Sequence, residues 1–381
     1  MTTGGPLAGI RVLDLSTQGP GPYATMCLAD HGADVVAVLR PPTEGPDPDP
    51  AGWFSRGKRS IAVDIRAPGG PDVIARLADV SDVLVESNRP GRLENRGLGP
   101  EVLLSRNPRL IYTRLTGWGQ DGPWATKVGH DINYIAGSGL LGTIGSPDHD
   151  APIPPMNLLG DFASGSQMAF LGTVLALFER ERTGHGQVVD AAMVDGAAML
   201  LAAQFHDFNV GSWKGRGKSN LSGIAPFYGT YRCLDGGWFA VGAIEQRFYG
   251  AFLDTIELDV PIDAQWDEAG WSALRQSVAE IFATKTRDEW TRRFENVDGC
   301  GTPVLELDEV AESPHMKARG SIVRDGDDLT AAPAPRLSRH RSSGQPLKMA
   351  SGRALVTDQV LREAGFTPDE VDSLRRAGTI R

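Results

Sequence analysis

The sequence predicts an α/β fold, and three observations carry that prediction. Short apolar runs recur through the first third of the chain, at Ile10–Leu15, Asp34–Leu39, Ser60–Ile65, Asp82–Glu86 and Leu110–Leu115. Segments of helical character alternate with them, which is the pattern of βαβ units and a mostly parallel sheet. Beyond about residue 225 the alternation gives way to one hairpin signal followed by helices, so a second, smaller α+β domain is expected there.

In chain order, the first strand runs into Ser16-Thr17-Gln18-Gly19-Pro20-Gly21-Pro22, a turn that leads to a helix near Tyr23–Asp30. Pro22 suits a first helical turn, where its missing N–H costs nothing. Strand two ends at Arg40-Pro41-Pro42, and a polar, proline-rich loop follows to about Asp49. Strand three closes on Asp64-Ile65-Arg66, and Pro71 opens a helix through Ala78. Strand four ends at Ser87-Asn88-Arg89, and strand five at the glycine-rich loop Thr116–Gly122. A helix is expected over Asp161–Arg182, a strand over Gln187–Met193 and a further helix over Asp195–Phe208. Gly211–Gly223 reads as a linker. Gly229–Cys233 and Trp238–Gly242 flank Asp235-Gly236-Gly237 as a β-hairpin, with helices from Gln246 to Val297 and a capping box at Thr286-x-x-Glu289. Ser313 and Pro314 start a short helix that Gly320 ends; Pro333–Leu337 is extended, and Val356–Ala364 and a last helix to Ala377 close the chain.

Composition narrows the function classes. A net charge of −10 argues against nucleic acid as the main partner. Cys27, Cys233 and Cys300 are far apart and form no CxxC, so neither a disulfide framework nor a zinc site is expected, and a reducing cytoplasm fits. The first residues lack a basic segment and a long apolar run, so no signal peptide is expected; the most apolar stretch, Ala163–Phe178, is too short for a membrane span.

Ligands of parallel sheets bind at the carboxyl ends of the strands. Here three of five ends supply an arginine, Arg40, Arg66 and Arg89, which favours an anionic ligand. The basic clusters Arg56-Gly57-Lys58-Arg59 and Arg336, Arg339, His340, Arg341 suit a phosphorylated small molecule or, equally, solvated surface charge. No G-x-G-x-x-G follows the first strand and no G-x-x-x-x-G-K-[ST] occurs, so the sheet is Rossmann-like without a nicotinamide or nucleoside triphosphate fingerprint. No G-x-S-x-G elbow is present. One pair stands out for acid/base work. His130 follows a glycine loop and precedes Asp131 at a helix start, and Asp161 opens a second helix. Asp161 and Glu245 also fit the plainer role of helix N-terminal charges.

The chain resembles the family III CoA-transferase (CaiB/BaiF) superfamily, and within it the α-methylacyl-CoA racemases of bacterial type. The matching stretches are Pro6–Leu15, Gly32–Val36, Leu115–Gln120, Gly129–Tyr134, Asn157–Phe162, Gly186–Met193, Ala225–Tyr228 and Val241–Glu245. The resemblance implies a Rossmann-like large domain plus a small α+β domain in an interlocked homodimer. The large domain would take residues 1–195 and 319–381, the small domain 225–300, with 196–224 as linker helix and crossing and 301–318 as a second linker.

The implied reaction is 1,1-proton transfer at the α-carbon of a 2-methylacyl-CoA, through an enolate. His130 serves one epimer and Asp161 the other; a partner's Glu245 orients the imidazole, Asn157 supports Asp161, and the backbone N–H of Asp131 faces the thioester oxygen. The implied CoA contacts are Arg40, Val63, Asp64, Ile65, Arg66, Ser87, Asn88, Arg89, Gly129, Asp131, Ile132, Asn133 and Tyr134. The family often has lysine where Arg66 stands and arginine where Asn95 stands; that last contact does not carry over directly, and Arg92 and Arg96 are the candidates to compensate. No metal or redox cofactor is implied, and no nucleic acid or membrane partner. The alternative is a family III CoA-transferase in which Asp161 attacks the thioester; a CoA-binding relative without activity is the other class considered.

Overall fold

The computed structural model describes residues 4–41, 54–146, 149–325, 327–340 and 356–381. The proline-rich loop to Asp49 and Arg341 lie outside the described residues. The chain divides into two compact units. One comprises Met1–Ser138, Pro155–Leu200 and Gly320–Arg381; the other comprises Gly139–Pro154 and Leu201–Arg319.

The first unit is built on a six-stranded sheet of β1 (Arg11–Asp14), β2 (Asp34–Leu39), β3 (Lys58–Ala62), β4 (Val83–Glu86), β5 (Ile111–Thr116) and β6 (Val188–Ala192). The strand order is β3-β2-β1-β4-β5-β6, and every neighbouring pair is parallel. Side chains alternate faces along a strand, and both faces are covered. Leu13, Val36, Ile61, Leu84 and Tyr112 pack with Ile74 and Leu77 of the Gly70–Asp79 helix and with Val360, Leu361 and Phe366 near the C-terminus. Their neighbours Val12, Val35, Val83 and Ile111 pack on the other face with Leu28, Ala176 and Leu177. This two-sided burial explains why the strands read as continuous apolar runs.

Several expectations are corrected at element boundaries. The helix after β1 begins at Pro20 and runs to Asp30, three residues earlier than expected, because two prolines fit its first turn. β3 covers Lys58–Ala62 rather than 60–65, since pairing with β2 begins at Val35 opposite Lys58. The expected Asp195–Phe208 helix is two, Met193–Met199 and Ala202–Asn209. A hairpin of β10 (Ile322–Asp325) and β11 (Asp328–Ala331) was not legible, being four residues a strand with polar positions interleaved.

The cluster at Arg56–Arg59 is also corrected: it is neither a ligand site nor solvated surface. Arg56 is buried and bidentate on Asp30, at 2.8 and 2.6 Å, and donates to the Ala331 carbonyl of β11 at 2.6 Å. Lys58 Nζ donates to Asp14 Oδ2 at 3.1 Å, to Thr25 Oγ1 at 2.7 Å and to the Pro22 carbonyl at 2.8 Å, with both charged side chains buried. Arg59 clamps Asp34 and Glu363. The cluster thus fastens the turn after β1. Replacing Lys58 with methionine would leave the Asp14 carboxylate buried without its counter-charge, and about 3–5 kcal/mol of stability should be lost. The urea midpoint at unchanged slope measures that loss.

The second unit has a three-stranded antiparallel sheet of β7 (Tyr228–Arg232), β8 (Trp238–Gly242) and β9 (Gly301–Pro303), in the order β7-β8-β9. The expected hairpin forms, its second strand as read from sequence and its first strand one residue earlier than Gly229–Cys233. β9 escaped notice because it is three residues long and ends in proline. An aromatic core of Phe227, Tyr231, Phe239, Tyr249, Phe252, Phe282 and Trp290 joins this sheet to its helices. The Thr286–Glu289 capping box is present, with Thr286 N donating to Glu289 Oε2 at 2.8 Å.

Candidate active site

The strand order reverses direction between β1 and β4, and at such a switch point the loops leaving the two strands open a crevice at their carboxyl ends. The turn Gly19-Pro20 leaves β1 there, and Ser87-Asn88-Arg89 leaves β4. Asp161 is brought to the same place: a Cβ built on Gly19 would lie 3.6 Å from Asp161 Oδ2. Ser166 Oγ fixes this approach, lying 2.8 Å from the Pro20 carbonyl and 2.9 Å from the Asp161 carbonyl, with its one hydroxyl proton shared between the two acceptors.

Asp161 does not open an α-helix as expected. It lies in the first turn of a nine-residue π-helix, Leu158–Ser166, which continues as the α-helix Gln167–Thr183. The wider turn shows in the bond from Gln167 N back to the Phe162 carbonyl, five residues away. Such stretches are uncommon and concentrate at functional sites. The small residues Gly160, Ala163, Ser164, Gly165 and Ser166 permit it, and Ser164, Gly165 and Ser166 are buried.

His130 occupies the N-cap position of the short helix Asp131–Gly137, in extended conformation. Asn133 Oδ1 accepts its backbone N–H at 3.0 Å, and its side chain is left exposed. The loop before it is anchored by Tyr134, which donates its hydroxyl to the Gly129 carbonyl and packs edge-on against Trp118, 5.0 Å between ring centroids. The two candidate bases meet through their neighbours. Asp131 Oδ2 accepts the Asp161 N–H at 2.7 Å, and Gly160 makes room, since a Cβ there would stand 2.5 Å from that oxygen. Asn157 Nδ2 donates to Asp161 Oδ2 at 3.1 Å.

Burial pushes the Asp161 carboxyl above the ordinary carboxylate range, and the Asp131 charge adds to that; the Asn157 hydrogen bond and the His130 imidazole act in the opposite sense. A half-buried carboxylate with raised affinity for protons, beside an exposed imidazole, can take a proton from carbon and return one.

The remaining expected site residues lie after β2, β3 and β4, on the His130 helix and in the second unit. Arg40 follows β2, and Val63, Asp64, Ile65 and Arg66 follow β3. There Asp64 N donates to the Thr379 carbonyl at 2.8 Å, so the C-terminal residues pin the turn. Arg66 pairs with Asp64 at 3.1 Å, and this bond, more than Arg40, holds the partly exposed Asp64 carboxyl below its usual range. Asn88 N donates to Glu86 Oε2 at 2.6 Å, and Arg89 acts electrostatically on Tyr134 of the His130 loop. Ile132 and Asn133 are exposed on that loop's helix. Glu245 belongs to the second unit, where it is the exposed N-cap of the helix Gln246–Ile256. Sequence reasoning missed the Asp131 carboxylate and Ser166. A serine five residues after Asp161, and an acid at the residue after His130, were the available signals.

A family model described as CoA-transferase family III matches residues 7–353. The α-methylacyl-CoA racemase of Mus musculus is 43% identical over 368 residues, covering 96% of this chain and 95% of that protein. Succinyl-CoA–D-citramalate CoA-transferase of Chloroflexus aurantiacus is 35% identical over 344 residues, covering 84% of this chain and 83% of that protein. The crystal structure of a CaiB/BaiF family protein from Brucella suis superposes with a TM-score of 0.72 at 28% identity, over 88% of this chain and 97% of that one. The strand order with its switch point, the His130 and Asp161 loops and these whole-length likenesses lead to one conclusion: the chain belongs to CoA-transferase family III.

Proposed function

We propose that this protein is an α-methylacyl-CoA racemase, an isomerase that interconverts (R)- and (S)-2-methylacyl-CoA thioesters. The observation that carries the reading is the pairing of His130 with Asp161 at the switch point, supported by the 43% identity to a racemase over nearly the whole chain.

One base takes the α-proton, and the C–H electron pair moves into the C–C bond as the thioester oxygen becomes negative. The conjugate acid of the other base then returns a proton to the opposite face. Asp161 and His130 fill these two roles, Asn157 holds the Asp161 carboxylate, and Glu245 of a partner subunit orients the imidazole. The Asp131 N–H, first in its helix and so without an intrahelical acceptor, is a suitable donor to the enolate oxygen. The balance closes without a metal or redox cofactor. Arg40, Val63–Arg66, Ser87–Arg89 and Gly129–Tyr134 would hold the CoA portion along the carboxyl edge of the sheet.

We also propose a homodimer in a reducing cytoplasm. Leu171, Leu175 and Phe178 form an exposed apolar stripe at helical spacing, which a second copy would cover. Among the described residues, no helix is long and apolar enough to cross a membrane.

The reading is tested by incubating the protein with a 2-methylacyl-CoA in D₂O and no second acyl acceptor. The α-hydrogen should exchange with loss of optical activity. No exchange, together with transfer of CoA to a free carboxylic acid, would instead establish the transferase, with Asp161 as nucleophile.

A further inference from the structure

We infer that the side chain of Asp131 is a positioning residue for Asp161, distinct from any role of its backbone. This rests on the racemase reading for its kinetic consequence, but not for its geometry.

Asp131 is the first residue of its helix, a place where a carboxylate ordinarily points to water and favours the helix dipole. Here it is turned inward and only 6% exposed. Its Oδ2 accepts the Asp161 N–H at 2.7 Å, and its Oδ1 has no partner among the described residues. A buried carboxylate held by one hydrogen bond, with the other oxygen unpaired, costs stability on its own. The chain nevertheless builds room for it, as Gly160 lacks the Cβ that would strike Oδ2 at 2.5 Å.

Two effects follow from this arrangement. The bond ties the His130 helix to the π-helix, so the loops carrying the two proton carriers cannot shift independently. The negative charge beside Asp161 also favours its protonated form. The groups that face the Asp161 carboxyl are Asn157 from its own segment and His130, Asp131 and Tyr134 from the neighbouring helix start. The backbone at Gly19 lies on the third side. Among these, Asp131 is the acid whose charge opposes ionisation of Asp161.

Asp131→Asn keeps an oxygen acceptor for the Asp161 N–H and removes the charge; Asp131→Ala removes both. Exchange of the α-proton in D₂O is measured against pH for the epimer that Asp161 deprotonates. That epimer is the one whose exchange survives His130→Ala. Asp131→Ala should lower exchange on the order of 10²-fold, the effect of a misplaced base. Asp131→Asn should restore most of that loss and move the acid limb of the profile to lower pH. A readout independent of turnover accompanies it. The carboxyl ¹³C resonance of Asp161, assigned by its disappearance in Asp161→Asn, should titrate at lower pH in Asp131→Asn than in the unaltered protein. An unmoved titration overturns the inference whether or not the protein racemises. Equal plateau losses in the Asn and Ala variants, with both folded by circular dichroism, overturn it as well. Absence of exchange in the unaltered protein counts against the racemase reading alone, and the ¹³C titration then decides the inference.

Discussion

His130→Ala is expected to reduce racemisation in both directions by roughly 10³-fold, within the 10²–10⁴-fold range of general acid–base catalysis. Proton exchange should fall much more unevenly. A two-base site loses the face served by the imidazole and keeps the face served by Asp161. One epimer should therefore still incorporate deuterium from D₂O without inverting. Chiral separation of the product, combined with mass measurement of deuterium at the α-carbon, reads both quantities at once. Because the His130 side chain is exposed and its backbone is held by Asn133, the substitution should leave the fold intact. Loss of exchange from both epimers in a folded variant would rule out two independent bases. Unchanged activity would place His130 outside the chemistry altogether.

Asp161→Asn should produce the mirror image, with a comparable loss of racemisation and exchange surviving only on the epimer served by His130. It also separates the two reactions found within the family. An aspartate nucleophile would be indispensable for CoA transfer, whereas His130 would not. A transferase would thus lose activity in Asp161→Asn and keep it in His130→Ala; a racemase loses inversion in both. The pH dependence follows with a definite sign. Asp161 must be ionised to accept a proton, and it becomes protonated as pH falls through its pKa. Burial, followed by the Asp131 charge, raises that pKa. Exchange of the Asp161-dependent epimer should therefore decline at a higher pH than an ordinary aspartate would give.

The sequence by itself determined the fold class, the presence of the six parallel strands and the candidate pair, because these are local signals. An apolar run bounded by turn residues marks a buried strand wherever it sits in the sheet. Val12-Leu13, Val35-Val36 and Val83-Leu84 are apolar at successive positions because each strand is covered on both faces. His130 was legible through its glycine loop and Asp161 through its turn, and the family resemblance over stretches from Pro6 to Glu245 joined them. Strand order was decided by tertiary structure alone, since pairing β1 with both β2 and β4 brings together residues far apart in sequence. That order creates the switch point, and with it the reason that Gly19, Arg89 and Asp161 share a neighbourhood. The same holds for charge. Arg56, Lys58 and Arg59 look like a basic patch when read in line, yet each finds its carboxylate at Asp30, Asp14 or Asp34, at least 25 residues away. The Asp131 side chain is the sharpest instance. Its sequence position indicates a helix-start charge facing water, and only packing against Gly160 and the π-helix turns it inward onto the Asp161 amide. Period and turn chemistry are written in neighbouring residues; burial and partner choice depend on which distant segments the fold brings alongside.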